Sequence, residues 1–443
     1  MKLPAKPMSF ADLVARVRAD PDRLLEAVRR GVTSATERRY LHWDKLRHLE
    51  PPVGLTHDEW WLGVKWQRMG LMRPLPLVDK EHTPFKYSLA ADMPEMLHRI
   101  DMGAGGIIQM PEQVTNPQTR DQYCISSLME EAITSSQLEG ATTTRPIAKE
   151  MIRTGRSPRD RSEQMILNNY TTMQHVRQFR DKPLSVEMVL ELHRLVSVDA
   201  LDDPTGAGRF RRRDERIIVG DDFSDTVFHD PPHADELPQR IEAMCRFANA
   251  HEPFIHPVVR SIILHFWLAY DHPFIDGNGR TARALFYWSM LRHGYWLTEY
   301  ISISHVIRKA PAQYGRAFLY SETDDNDLTY FVLFHLRVIE KAVRDLHDYI
   351  HRKTREVQLL EGQLRGITTL NHRQRALVSH AIRHPNQTYT IQSHRASHGV
   401  VYDTARRDLH DLHHRGLLDA RKRGKTWVYR PVADLQARLA SLE

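Results

Sequence analysis

A chain of 443 residues with 41% hydrophobic and 27% charged residues is long enough for two to four domains with real cores, and it has the balance of a globular protein. Two cysteines, Cys124 and Cys245, are too few and too far apart for a disulfide framework or a thiolate metal site, and read as ordinary buried thiols of a reducing compartment. The net charge of +6 is uneven: residues 362–443 hold 14 Lys and Arg against 6 Asp and Glu, which leaves a slight negative excess before them and marks a basic module open to a polyanionic partner.

The first residues, MKLPAKPMSFADL, contain no apolar run of the secretory kind. The most apolar stretch, SIILHFWLAY (261–270), is too short to span a bilayer and holds a histidine, so a cytoplasmic location is expected. The first hundred or so residues are expected to form several short helices: SFADLVARVRADPDRLLEAVRRG closes at Gly31, and LTHDEWWLGVKWQRMG carries Trp60, Trp61 and Trp66 for packing against the next domain. No chemistry is read there.

CISSLMEEAITSSQLEG (124–140) has helical spacing, with Ile125, Leu128, Met129, Ala132 and Ile133 on one stripe and Gly140 to close it. PLSVEMVLELHRLVS (183–197) repeats that periodicity. From 203 to 232 glycines, prolines and charges surround a short β-like run, RIIVG (216–220), expected to be a hairpin or flap. HPVVRSIILHFWLAYDH, with Pro257 in its first turn, and RTARALFYWSMLRHG, ending at Gly294, are apolar nearly all round and are expected to be central core helices. Apolar residues at 339, 343, 346, 350, 357, 360 and 364 predict a long, partly exposed helix leading to the tail.

Between the two core helices lies HPFIDGNGRTAR (272–283). Gly277 and Gly279 permit positive φ, so successive N–H groups can converge into an anion nest at the start of a helix. Arg280 and Arg283, three apart, add planar cationic donors on one face of the first turn. Asp276 is an acid available to a divalent cation, and His272 is a base suited to a hydroxyl near neutral pH. Base, metal ligand, anion nest and clamp together describe phosphoryl or nucleotidyl transfer.

The string resembles the Fic-family signature H-x-F-x-[D/E]-G-N-G-R-x-x-R at every specified position. GRFRRRDERIIVG, HDPPHADELPQRIEAMCRFANA and DLTYFVLF resemble that family's flap, preceding helix and closing helix, so the resemblance covers roughly residues 120–340. It implies a mainly α fold, a Fic-type helical bundle with a β-hairpin flap, and transfer of AMP from ATP to a protein hydroxyl. By that resemblance His272 is the general base, Asp276 holds Mg2+, and Phe274 packs beneath the loop. Gly277, Asn278 and Gly279 form the anion hole, while Arg280 and Arg283 hold the β- and γ-phosphates. Lysine at the position of Gly279, which marks the kinase-like Doc subgroup, is absent, favouring attack at the α-phosphate. The flap residues Arg216, Ile217, Ile218, Val219 and Gly220 would pair with an extended target segment. UTP or GTP as donor stays open.

SSQLEG (135–140) resembles the family's inhibitory motif [S/T]-x-x-x-E-[G/N], placing Ser135 and Glu139 upstream of the catalytic loop as in self-inhibited members. A bidentate pair of Glu139 with Arg283 would take the cation that the γ-phosphate needs. Glu139 orienting water to remove AMP is the related alternative.

Residues 388–432 read as helix, turn, helix and hairpin, resembling the winged helix-turn-helix of bacterial regulators, with Tyr402 to Arg415 as recognition helix and a turn at Lys422 to Lys425. Ala405, Leu409 and Leu412 would face the core, leaving Thr404, Arg406 and Arg407 outside. With Lys422, Arg423 and Lys425 these are the candidate DNA contacts; homodimerisation or target docking is the competing use. Eight histidines in the tail show no zinc spacing. The expected organisation is a helical region 1–115, a Fic domain 116–340 with an inhibitory helix at about 124–139, a linker helix 341–366 and a winged helix 367–443. The leading reading is a self-inhibited protein adenylyltransferase acting on an unknown protein, itself included. The other is a DNA-binding regulator whose Fic domain senses nucleotide.

Overall fold

In the computed structural model, the described residues are 2–33, 36, 39–90, 92–105, 117–221, 225–366, 369–385, 387–423 and 426–440. They fall into two compact units, one made of residues up to 105 together with 124–344, the other of 117–123 with those from 345 onward.

The first unit begins with α1 (Phe10–Val17), capped by Ser9, and α2 (Pro21–Arg30), capped by Asp20. Both pack on α3 (His57–Met69), which a capping box of Thr56 and Glu59 starts. Trp60 and Trp61 are buried in that packing and Trp66 is exposed. The expectation of helices alone is corrected next: β1 (Arg73–Val78) and β2 (Pro84–Tyr87) form an antiparallel hairpin. Its prolines mask the strand signal, and a two-stranded ribbon tolerates them because half its N–H groups face no neighbour.

The helices α4 (Met93–Ile100), α5 (Pro117–Leu138), α6 (Arg145–Thr154), α7 (Arg161–Phe179) and α8 (Val186–Ser197) follow. On α5, Leu128, Met129, Ala132 and Ile133 are buried, while the side chains of Cys124 and Ile125 lie outside the described residues. Strands β3 (Val219–Asp221) and β4 (Thr226–His229) pair antiparallel. Arg216, Ile217 and Ile218 therefore stand outside the strand expected for them. The reason is a turn just upstream: Arg209 forks onto Glu215 at 2.6 and 2.7 Å, and Glu215 also accepts from the Arg212 amide.

After α9 (Leu237–Asn249), the helices α10 (Pro257–Asp271) and α11 (Asn278–Arg292) form the centre, with nearly every residue of both buried. That burial is what an all-round apolar helix requires. Around them lie α12 (Pro311–Thr323) and the start of α13 (Thr329–Gly366).

The second unit contains α14 (His372–Arg383), α15 (Ile391–His398), α16 (Tyr402–His414) and α17 (Leu435–Ala440). Its sheet has β5 (Tyr389–Thr390), β6 (Leu418–Arg423) and β7 (Thr426–Pro431), antiparallel in the order β5-β7-β6. Ala405, Leu409 and Leu412 are buried at the core face of α16, while Arg406 and Arg407 are exposed. Strand β6 runs on through Lys422 and Arg423, which were expected in the turn; Lys425 lies outside the described residues. Among the described residues no helix is long and apolar enough to cross a membrane.

Candidate active site

Pro273 ends α10, since the residue before a proline is pushed out of the right-handed helical region. His272 takes φ +44°, a left-handed conformation costly for a residue with a Cβ, and its own N–H still closes on Leu268 O at 3.1 Å. The His272 ring sits with Nδ1 3.1 Å from Ala269 O. That carbonyl can only accept, so Nδ1 carries the proton and Nε2 holds a free lone pair. Burial lowers the His272 pKa to about 4, which keeps the imidazole neutral.

Four residues on, Asn278 ties the loop shut: its Oδ1 accepts from Phe274 N at 3.0 Å and its Nδ2 donates to Phe274 O at 2.8 Å. The Asn278 side chain is thus occupied as a brace, and only its backbone amide is available to an anion. Phe274 is fully buried, stacked on the His193 ring at 3.7 Å and 1°. Gly277, at φ +81°, caps α11 without any side-chain cap, leaving first-turn amides with no intrahelical acceptor. These amides and the helix dipole make the loop an anion site.

Arg283 is buried and meets three oxygens. Its Nε donates to Ser135 Oγ at 2.8 Å, and its Nη2 donates to Ser135 O at 3.0 Å and to Glu139 Oε1 at 2.7 Å. The bidentate pair expected of Glu139 and Arg283 is a single contact: Ser135 takes the Nε–Nη2 edge, and Nη1 has no hydrogen-bond partner among the described residues. Burial opposes the charge on Arg283, but Glu139 outweighs it and raises the pKa. The same carboxylate lies directly over the loop: a Cβ placed on Gly279 would come 2.2 Å from Glu139 Oε1. Glu139 thus fills the space above the anion nest.

Arg280 is fully buried below the loop, with Nη1 donating to Val196 O at 2.8 Å, while its Nε and Nη2 find no hydrogen-bond partner among the described residues. Burial lowers its pKa, against Asp276 and Glu139 nearby. Asp276 Oδ1 accepts from the Gly277 amide, and Oδ2 lies 3.2 Å from Arg161 Nη2 and 3.6 Å from Arg280 Nη2. Among the described residues no cluster of three metal-binding side chains occurs. A single carboxylate beside phosphate oxygens is nevertheless the set magnesium takes, so Asp276 fits.

A cavity of about 240 Å³ opens beside His272 and Gly279, with Glu139 at its edge and Val219, Phe228, Tyr270, Tyr314 and Phe318 among its walls. His229 of β4 joins that wall to Glu322 at 2.7 Å through Nδ1 and to Tyr270 O at 2.7 Å through Nε2. Burial would lower its pKa, yet Glu322 raises it.

Three supporting residues escape a reading of the sequence. His193 accepts from Gly208 N at 3.0 Å through Nδ1 and donates to Asp276 O at 2.9 Å through Nε2, so it holds the loop in place as a neutral ring, its pKa lowered by burial to about 4. Arg211 donates from Nε to His272 O at 3.0 Å, from its backbone to Pro273 O at 2.8 Å, and to Pro232 O. Arg161 reaches the loop from α7. All three lie 60 or more residues from the motif by chain, so only the fold reveals them.

Residues 183–290 match the Fic/DOC family, and the chain carries a Fic/DOC-family domain there. The fold is the Fic fold: a Fic family protein from Desulfovibrio desulfuricans G20 aligns with a TM-score of 0.52 at 22% identity, over 78% of this chain and 98% of that one. A variant of Fic-1 from C. elegans aligns with a TM-score of 0.51 at 17% identity, over 78% and 93%.

More particular relatives are proteins named protein adenylyltransferase Fic. That of Nematostella vectensis is 25% identical over 241 residues, 50% of this chain and 51% of that protein. That of Drosophila melanogaster is 35% identical over 113 residues, 25% of this chain and 21% of that protein. The chain spans about half or less of these relatives' length.

Proposed function

We propose that this protein is a protein adenylyltransferase, moving AMP from ATP to a Ser, Thr or Tyr hydroxyl of a protein. The observation that carries the reading is the shared cavity of His272 and Gly279: a base with Nε2 free faces the same space as an uncapped helix N-terminus. His272 Nε2 takes the hydroxyl proton, the oxygen attacks the α-phosphorus, and the bond to the pyrophosphate oxygen breaks. Amides at the start of α11 and the guanidinium of Arg283 stabilise the charge on the phosphates. Magnesium held by Asp276 would neutralise the departing pyrophosphate. Strand β3 has one neighbour, β4, among the described residues, and its other edge supports main-chain pairing with a target segment.

Glu139 is read as a brake. It occupies both Arg283 and the space above Gly279, which a bound triphosphate would need. The test is transfer of label from α-labelled ATP by the Glu139→Gly protein, with and without His272→Ala. Label that depends on His272 supports the reading, and no label from any nucleotide in Glu139→Gly overturns it. Removal of AMP by water oriented on Glu139 is tested with the same proteins on a labelled target.

The tail supports a second activity, DNA contact by a winged helix. Arg406, Arg407 and Lys422 are exposed while the opposite side of α16 is core. Duplex affinity that falls steeply with salt, and weakens with Arg406→Ser and Arg407→Ser together, is the expected result. Salt-independent or absent binding, with a dimer in sedimentation, would favour homodimerisation through this unit instead.

A further inference from the structure

Helix α12 has two working faces. Tyr314, Gly315, Phe318, Leu319 and Glu322 border the cavity beside His272, whereas Gln313, Arg316, Ala317 and Tyr320 border another of about 330 Å³ on the opposite side. The spacing of 313, 316, 317 and 320 is that of one helical stripe.

Among the described residues this second cavity is lined by four cations, Arg39, Lys45, Arg316 and Arg337, and by no carboxylate. Among the described residues none of the four has an acidic side chain within ion-pairing distance. Asp44, the acid next to Lys45, instead accepts from Ala5 N at 2.9 Å and Tyr320 Oη at 3.4 Å and lies 3.9 Å from Arg47. Part of the cavity wall is aromatic: His42 and Tyr320 stack at 4.2 Å and 9°. The acids behind it are already engaged, Asp324 by Lys65 at 2.7 Å and Tyr330 at 2.7 Å, Asp327 by Tyr40 at 2.7 Å. Four like charges gathered around one concavity repel each other, and an anion seated among them relieves that repulsion. Three guanidinium forks and an ammonium suit phosphate oxygens, and the volume suits a small molecule.

We infer that this cavity is a second anion site, binding a small phosphate-bearing polyanion independently of the AMP-transfer loop. The site does not rest on the proposed activity, and its test needs no turnover. Inorganic tripolyphosphate is titrated calorimetrically into the full chain at low salt, without magnesium. Two binding events are expected in the Glu139→Gly protein, one at the loop that Glu139 fills in the wild type and one at this cavity, and in that background the further changes are made. Arg283→Gln should weaken one and leave the other. Adding Lys45→Gln and Arg337→Gln, both exposed side chains, should weaken the remaining event at least about tenfold, because charge-assisted hydrogen bonds to phosphate are lost. The charge-keeping exchange of Lys45→Arg with Arg337→Lys should retain it. ADP in the Arg283→Gln protein separates a nucleotide from an inorganic source, the tighter of the two probes marking which. Equal affinity in Arg283→Gln with and without the two further changes overturns the assignment. So does a hexaglutamate peptide that binds there while tripolyphosphate does not.

Discussion

At His272 the direction of one hydrogen bond decides the chemistry. Because Nδ1–H is held by Ala269 O, the free lone pair belongs to Nε2 of a ring that lines the cavity. Burial, which lowers the pKa to about 4, costs the imidazolium more than the neutral ring. The acid limb of kcat/KM for AMP transfer should therefore fall near pH 4, with activity nearly flat from pH 8 down to about 5.5. A midpoint at the ordinary histidine value of about 6.5 would contradict this reading of the site. The placement of the loop residues between two core helices was legible in the sequence because the twelve positions form one local structure. The environment of Arg280 and the geometry of Glu139 on Arg283 were not, since they depend on residues 84 and 144 positions away.

At the scale of elements, the loop is held by α8 as much as by the helices it joins. His193 stacks on Phe274 and spans from Gly208 N to Asp276 O. His193→Phe would preserve the ring stack and lose both hydrogen bonds. Label transfer should lose about tenfold or more in kcat with a smaller change in KM for ATP, since a misplaced reacting geometry costs more than weakened binding. A change in KM alone, with kcat intact, would mean that His193 only stabilises α8. The sequence showed α8 as an amphipathic helix, and nothing in its period distinguishes a supporting histidine from a core one. The long helices α10 and α11 were legible from continuous apolar character. The hairpin of β1 and β2 was hidden by prolines, and the start of β3 was displaced by the Arg209–Glu215 fork, a contact that no alternation pattern encodes.

Across the whole molecule, several histidines are buried as neutral rings. His42, His193 and His272 have pKa values lowered to about 4 and His335 to about 3, in each case chiefly by burial. Below about pH 6.5 the unfolded chain binds more protons at these sites than the folded one, so stability falls as pH falls from 6.5 towards 4. His229 and Asp271, whose folded values are raised, act in the opposite sense but are fewer. The unfolding temperature should drop by about 5 °C or more between pH 7 and pH 5, as calorimetry can read. An unchanged value would mean that these rings titrate normally. The claim that draws on the whole chain is that α5 delivers Glu139 to the catalytic loop and holds an adenylyltransferase off. Its most direct test is mass spectrometry of the full-length protein expressed in cells, in wild-type, Glu139→Gly and Glu139→Gly/His272→Ala forms. An AMP-sized addition on the protein or its partners that rises about tenfold or more in Glu139→Gly and vanishes in the double variant is predicted, since one general base accounts for about 10²–10⁴ in rate. Equal labelling of wild type and Glu139→Gly, or label that survives loss of His272, would contradict it.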